Sequence, residues 1–140
     1  MWHVRGQYPV IVVQDDSGSA WPVHSAIAGW GLPVTYGKCV TTLNCVHIVE
    51  VTKLASSDGN PEVGLTWQGS TPGKPSTILI QLANNPRMNG LQALQDIGHE
   101  FGHALGLGHD DIGVMHAGVS GAFTAPNAAE LARVRSLYLG

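Results

Sequence analysis

The chain has 140 residues, 44% of them hydrophobic and 12% charged, with 18 glycines and a formal net charge of −3. That is room for one domain with a buried core, residues 1–140, and the composition reads as loop-rich and folded rather than disordered or coiled. The 7 Lys and Arg residues are scattered; without a basic cluster to neutralise phosphates a nucleic-acid partner is excluded, and no apolar run approaches the ~18 residues of a membrane span, so a monomer off the membrane is expected.

The opening MWHVRGQYPVIVV holds an apolar stretch of only five residues, shorter than the ~7–15 of a signal-peptide core. Residues 9–14 (PVIVVQ) read as a buried β-branched strand that stops at Asp15-Asp16-Ser17-Gly18. A helix is expected over about 20–30, with Val23, Ile27 and Trp30 at helical spacing and Pro22 tolerated in its first turn; Gly31 and Pro33 end it. A short strand at Val34–Tyr36 and a longer one at Cys45–Val51 flank a loop bearing the two cysteines, Cys39 and Cys45. Oxidised, they would close a short ring worth about 2 kcal/mol and favour an extracellular setting. Reduced, they are two small buried thiols.

Residues 54–63 (LASSDGNPEV) form a polar loop by composition, Gly64–Gln68 a strand, residues 69–76 a connecting loop, and Thr77–Leu82 a buried strand. Asn84-Asn85-Pro86 breaks the chain before a helix from about Gly90 to Leu105, whose apolar face carries Leu91, Leu94, Ile97, Phe101 and Leu105. A last helix covers about 127–138; Asn127 and Glu130 have capping-box spacing, and Leu131, Val134 and Tyr138 supply its buried stripe. The order strand, helix, several strands, helix, loop, helix gives an α+β fold.

Residues 99–109 read HEFGHALGLGH. His99 and His103 stand four apart, so on a helix both imidazoles leave one face and can grip the same ion. Glu100 is turned by about 100° around the axis. It therefore stands beside a metal rather than on it, where a general base takes a proton from zinc-bound water. Gly106 adopts the left-handed conformation that ends a helix, so the chain turns and His109 swings back as a third ligand. Three neutral histidines leave a fourth tetrahedral position open, the mark of a catalytic zinc. His3, His24 and His47 lack ligand-spaced partners and read as surface or structural residues; His116 reads as a cleft-wall residue.

HEFGHALGLGH matches the long zinc motif of the metzincin metallopeptidases at every defining position, and within them the chain resembles the matrixins. Met115, in GVMHAG six residues after His109, resembles the Met-turn that passes beneath the zinc without ligating it. WPVHSAIAGW looks like the first matrixin helix, and VRSLYLG like the end of the last. GLTWQGSTPG is similar to the family's edge strand and following loop. The resemblance implies a metzincin-like zincin fold, a twisted mixed sheet of about five strands with three main helices and the zinc in the cleft. It also implies that a peptide lies antiparallel to Gly64, Leu65, Thr66 and Trp67, and that its side chain after the cut bond enters a pocket between the motif helix, the Met-turn and residues 116–124. Other family features are missing. The chain has no cysteine-switch segment, and Trp67 stands about where a structural-zinc histidine would fall. Asp110 looks more like the adamalysin branch, no Tyr lies two after Met115, and calcium ligands are not assignable, Asp15, Asp16 and Asp58 being no more than loop aspartates.

The expected function is a secreted or extracellular zinc endopeptidase with one catalytic zinc, hydrolysing peptide or protein substrates with Glu100 as general base and then acid, an apolar side chain preferred after the cut. Two other readings compete. One is a zinc-loaded but silent module that binds a peptide or surface, against which the retention of Glu100 argues. The other is a zinc hydrolase of a cell-wall bond, against which the edge strand argues.

Overall fold

The fold is seen in a computed structural model that describes residue 2 and residues 6–55, 61–67 and 77–140. His3, Asp58, Gln68 and the connecting loop 69–76 lie outside the described residues, as do residues 56–60 of the polar loop.

The β-branched runs pair as a sheet. Strand β1 (Ile11–Asp16) leads into helix α1 (Val23–Ala28), then β2 (Val34–Tyr36) and β3 (Asn44–Val51). After a small antiparallel ribbon of β4 (Leu54–Ala55) and β5 (Pro61–Glu62) come β6 (Gly64–Trp67) and β7 (Thr77–Ala83). Helices α2 (Gly90–Leu105) and α3 (Ala128–Leu139) complete the order. The main sheet runs β2-β1-β3-β7-β6, parallel except for β6, which lies antiparallel against β7 at one edge. This is a mixed α+β architecture with a five-stranded mixed sheet and three helices, and Gly64–Trp67 do form an edge strand.

Several expectations shift. β1 runs on through Asp15 and Asp16, which pair with Ile48 and Val49, so these aspartates belong to a strand end rather than a loop. Ser17 then ends it, its N–H donating to Asp15 Oδ1 at 3.0 Å. The first helix is only six residues, because its flanks are held as turns, Trp21 N–H to Gly18 O and Trp30 N–H to Ile27 O. The polar loop 54–63 contains the β4–β5 ribbon. The strands read as buried runs are buried on alternate residues: Ile11 and Val13, Val46 and Ile48, Ile78, Ile80 and Leu82 are fully covered, while Val12, Val49 and Leu79 are half-buried. One face of the sheet carries the core, so period two prevails over the unbroken apolar composition.

The helices seal that face. In α2, Ala93, Ile97, Phe101 and Leu105 repeat every four residues and are buried, whereas Leu91, in the first turn, is exposed. In α3 Glu130, Val134 and Tyr138 are buried, whereas Leu131, on nearly the same face as Tyr138, is exposed. Both helices carry full capping boxes, Asn89 with Gln92 and Asn127 with Glu130. Trp30 Nε1 donates to Gly98 O and Tyr138 Oη to Leu105 O, tying the segment after α1 and the end of α3 to the motif helix.

Cys39 and Cys45 form a disulfide across six positions, closing the loop before β3, where Cys45 is itself fully buried. A ring this small restricts the unfolded chain by about 2 kcal/mol. The double variant Cys39→Ser/Cys45→Ser is therefore expected to lose about that much stability in urea denaturation, with the far-ultraviolet spectrum unchanged.

Candidate metal centre

The site is built on the second half of α2. His99, His103 and His109 each offer a ring nitrogen, and these atoms all lie within 4.8 Å of one another. The ring centroids are 4.6, 5.1 and 5.0 Å apart. Burial falls outward, from buried His99 through half-buried His103 to exposed His109. His99 and His103 come together because they are four apart on one helical face. His109 reaches them because the chain reverses at Gly106, whose φ of 105° is left-handed. The turn is a Schellman motif, Gly106 N–H bonding His103 O and Leu107 N–H bonding Gly102 O.

The same turn orients a ligand. His103 Nδ1 lies 2.8 Å from Leu107 O, and His99 Nδ1 lies 2.8 Å from Val114 O. Each carbonyl is placed to accept an Nδ1 proton, the arrangement in which Nε2 is the nitrogen offered to a metal. The two Nε2 atoms stand 3.0 Å apart. Burial pushes the His99 imidazole down to about 4, with His103 and His109 adding to it and the Val114 carbonyl and Glu130 opposing. Burial likewise lowers His103. Three imidazole nitrogens this close together, two of them oriented by backbone carbonyls, are a donor set that a borderline cation takes, so the residues fit a metal ion.

Glu100 Oε2 lies 3.9 Å from His99 Nε2, and Glu100 is 95% shielded, at 5% exposure. Its other oxygen, Oε1, accepts from the Thr66 hydroxyl at 2.8 Å, and the same hydroxyl reaches Glu100 O at 3.0 Å. Of the edge-strand residues, Gly64, Leu65 and Thr66 line the cleft, whereas Trp67 points its indole N–H to Gln81 at 2.7 Å and is exposed. The cleft, about 630 Å³, is bounded opposite by Ala117, Gly118 and Val119. His116 is exposed and stands outside the metal-ligating group, but the cleft wall expected of it is made instead by Ala117, Gly118 and Val119.

Met115 is fully buried and packs against α2 at Gly102, where an added Cβ would be driven into the Met115 sulfur and the Trp30 ring. Two residues that spacing alone did not reveal hold this region. Glu130 caps α3 and also accepts from Val114 N–H at 3.2 Å and Met115 N–H at 2.7 Å. Gln95 donates to Gly118 O at 3.0 Å and accepts from Gly121 N–H at 2.8 Å, stitching the cleft wall to α2. A glutamate at a capping-box position and a glutamine inside a helix have ordinary local uses, so nothing in the sequence marked their second roles. Asp110 sits behind the site, paired with Arg133 at 2.6 Å, its backbone N–H bonded to Met115 O. His24 stacks on Tyr36 and His47 pairs with Asp16 at 2.7 Å, so both are structural.

One buried acid of the site has no evident use. Asp96, one turn before Glu100 on the same face, is fully buried, lines the cleft and has neither carboxyl oxygen hydrogen-bonded. Burial, and behind it the charge of Glu100, pushes its carboxyl well above the usual range.

His99 sets a pH dependence. Its folded value of about 4 lies below the ordinary 6.5, so between these the unfolded chain binds protons that the folded chain refuses. The metal-free protein is expected to be most stable above pH 6.5, to lose stability as pH falls towards 4, and to level off in this contribution below; urea denaturation across pH 4–8 measures it.

The chain matches no family model and no curated protein, so the functional assignment rests on the geometry of its own residues.

Proposed function

We propose that this protein is a zinc-dependent endopeptidase of the metzincin type. The observation that carries the reading is the convergence of three imidazoles, two of them locked through Nδ1 to backbone carbonyls, with the Glu100 carboxylate beside them, 3.9 Å from His99 Nε2. A donor set of nitrogens alone favours zinc over magnesium or calcium, which prefer oxygen. When bound, zinc supplies a Lewis acid that polarises a carbonyl and brings water towards ionisation near neutral pH.

The rest falls to the chain. Glu100 takes a proton from the attacking water and passes it to the leaving amine, forming one bond to hydrogen and then breaking it. Thr66 holds Glu100 Oε1, so the base keeps one orientation and turns Oε2 towards the histidines. Because Thr66 belongs to the edge strand, the element that would pair with a peptide also positions the proton carrier. The outer edge of β6 is unpaired among the described strands, which suits an extended peptide added antiparallel to it. Met115 and the Val114 carbonyl give the site a dry floor and a fixed His99. The disulfide suits an oxidising, extracellular setting.

Glu100→Ala is expected to retain one zinc per chain by metal analysis while kcat on an unfolded protein substrate drops by about 10²–10⁴-fold. A chelator is expected to abolish cleavage by the wild type, and added zinc to restore it. Chelator-resistant cleavage, or normal turnover by Glu100→Ala, rules the reading out.

A further inference from the structure

The cleft holds two acids where its chemistry uses one. Asp96 and Glu100 are four apart on α2, so both project from the face that carries His99 and His103. Glu100 has Thr66. Among the described residues Asp96 has no hydrogen bond to either oxygen, although it is 0% exposed. An acid buried in this way costs several kcal/mol relative to one in water, and a helix position facing a core would ordinarily carry an apolar residue. The fold nevertheless makes room for it. Gly64 of the edge strand faces this pair, and a Cβ there would be driven into Asp96 Oδ1 and reach 2.8 Å from Glu100 Cγ. No larger residue fits at 64 unless the acids move.

The surroundings define what would satisfy Asp96. Among the described residues, the cleft lining contains no lysine or arginine, and the wall opposite is Ala117, Gly118 and Val119, small side chains that leave space and offer no counter-charge. The next residue along the helix, Gln95, is spent on pinning that wall through Gly118 and Gly121, so it supplies no donor to its neighbour. What is missing is a group that brings N–H donors and positive charge together from within the cleft.

We propose that Asp96 is the specificity residue of the cleft and recognises a cationic side chain, lysine or arginine, on the residue that follows the cut bond. This rests on the endopeptidase reading, and it replaces the apolar preference that the zinc motif suggests. An ammonium or guanidinium entering between α2 and the wall gives Asp96 its donors and its counter-charge at once, and a charge-assisted hydrogen bond in a water-poor site discriminates strongly against an apolar isostere. The small wall residues admit a long unbranched side chain.

The test separates recognition from catalysis. Two short peptide hydroxamates, which anchor on zinc through the hydroxamate and differ only in lysine or norleucine at the following position, are titrated calorimetrically into zinc-loaded protein. Wild type is expected to bind the lysine compound at least roughly tenfold more tightly, and Asp96→Asn to reduce that ratio to about one. Asp96→Ser serves as a second variant, with circular dichroism and zinc content confirming that each is folded and loaded. Equal or tighter binding of norleucine by wild type, a lysine preference that survives in both variants, or no binding of either compound to loaded protein overturns the proposal; the first of these means that Asp96 is only a neutral acid beside Glu100. Peptide substrates with the same two residues after the scissile bond run in parallel. Lysine-selective binding without cleavage of any peptide sinks the endopeptidase reading and leaves the recognition site standing. Cleavage that favours norleucine does the reverse.

Discussion

Everything at the candidate metal centre depends on the chain ceasing to be helical at one residue. Had α2 continued past Leu105, His109 would have been carried more than a turn away from His103, and Leu107 would have pointed its carbonyl along the helix axis. At Gly106 the left-handed turn does two things at once. It releases His109 to return to the other imidazoles, and it lays the Leu107 carbonyl against His103 Nδ1. A side chain at 106 would strain the turn, since φ near +105° suits glycine and few other residues. Ligand number and ligand tautomer thus share a single backbone constraint.

A second layer of fixed carbonyls and carboxylates surrounds this turn. Val114 orients His99, and Val114 itself is held through its N–H by Glu130, whose other oxygen takes Met115 N–H. Gly113 precedes this pair at φ 127°, with the Glu130 carboxylate so close that a Cβ there would collide with it. On the opposite side, Gln95 performs the same service for the cleft wall. The site is therefore framed by side chains that never face the metal point. Their buried polar atoms are satisfied by backbone groups, which is how a polar framework is tolerated inside a small core.

How much of this was legible in the sequence follows from the range of each signal. The triad, Glu100 and the Gly106 turn depend on spacings within eleven residues, and the structure brings all of them together. Capping boxes at Asn89 and Asn127, and the strands around Ile48 and Ile80, are also local. Misjudged features depend on where a neighbour lies. Leu91 and Leu131 have the right residue type at the right period, yet both stand near the start of their helices and stay exposed. The one-sided burial of β1 could not be read from PVIVVQ, because composition does not say which sheet face the helices cover. Thr66, Gln95, Asp96 and Glu130 act on partners from 15 to 34 positions away or on a cavity, and no pattern along the chain marks them.

Glu130 joins the N-terminus of α3 to the Val114–Met115 backbone, and Tyr138 joins its far end to Leu105. A growing chain emerges with all three histidines and Glu100 already made, but with the support under them still to come. Until α3 is synthesised and docked, the Val114 carbonyl that orients His99 has no anchored backbone behind it. The order of synthesis alone therefore delays completion of the centre until the surrounding protein has been built.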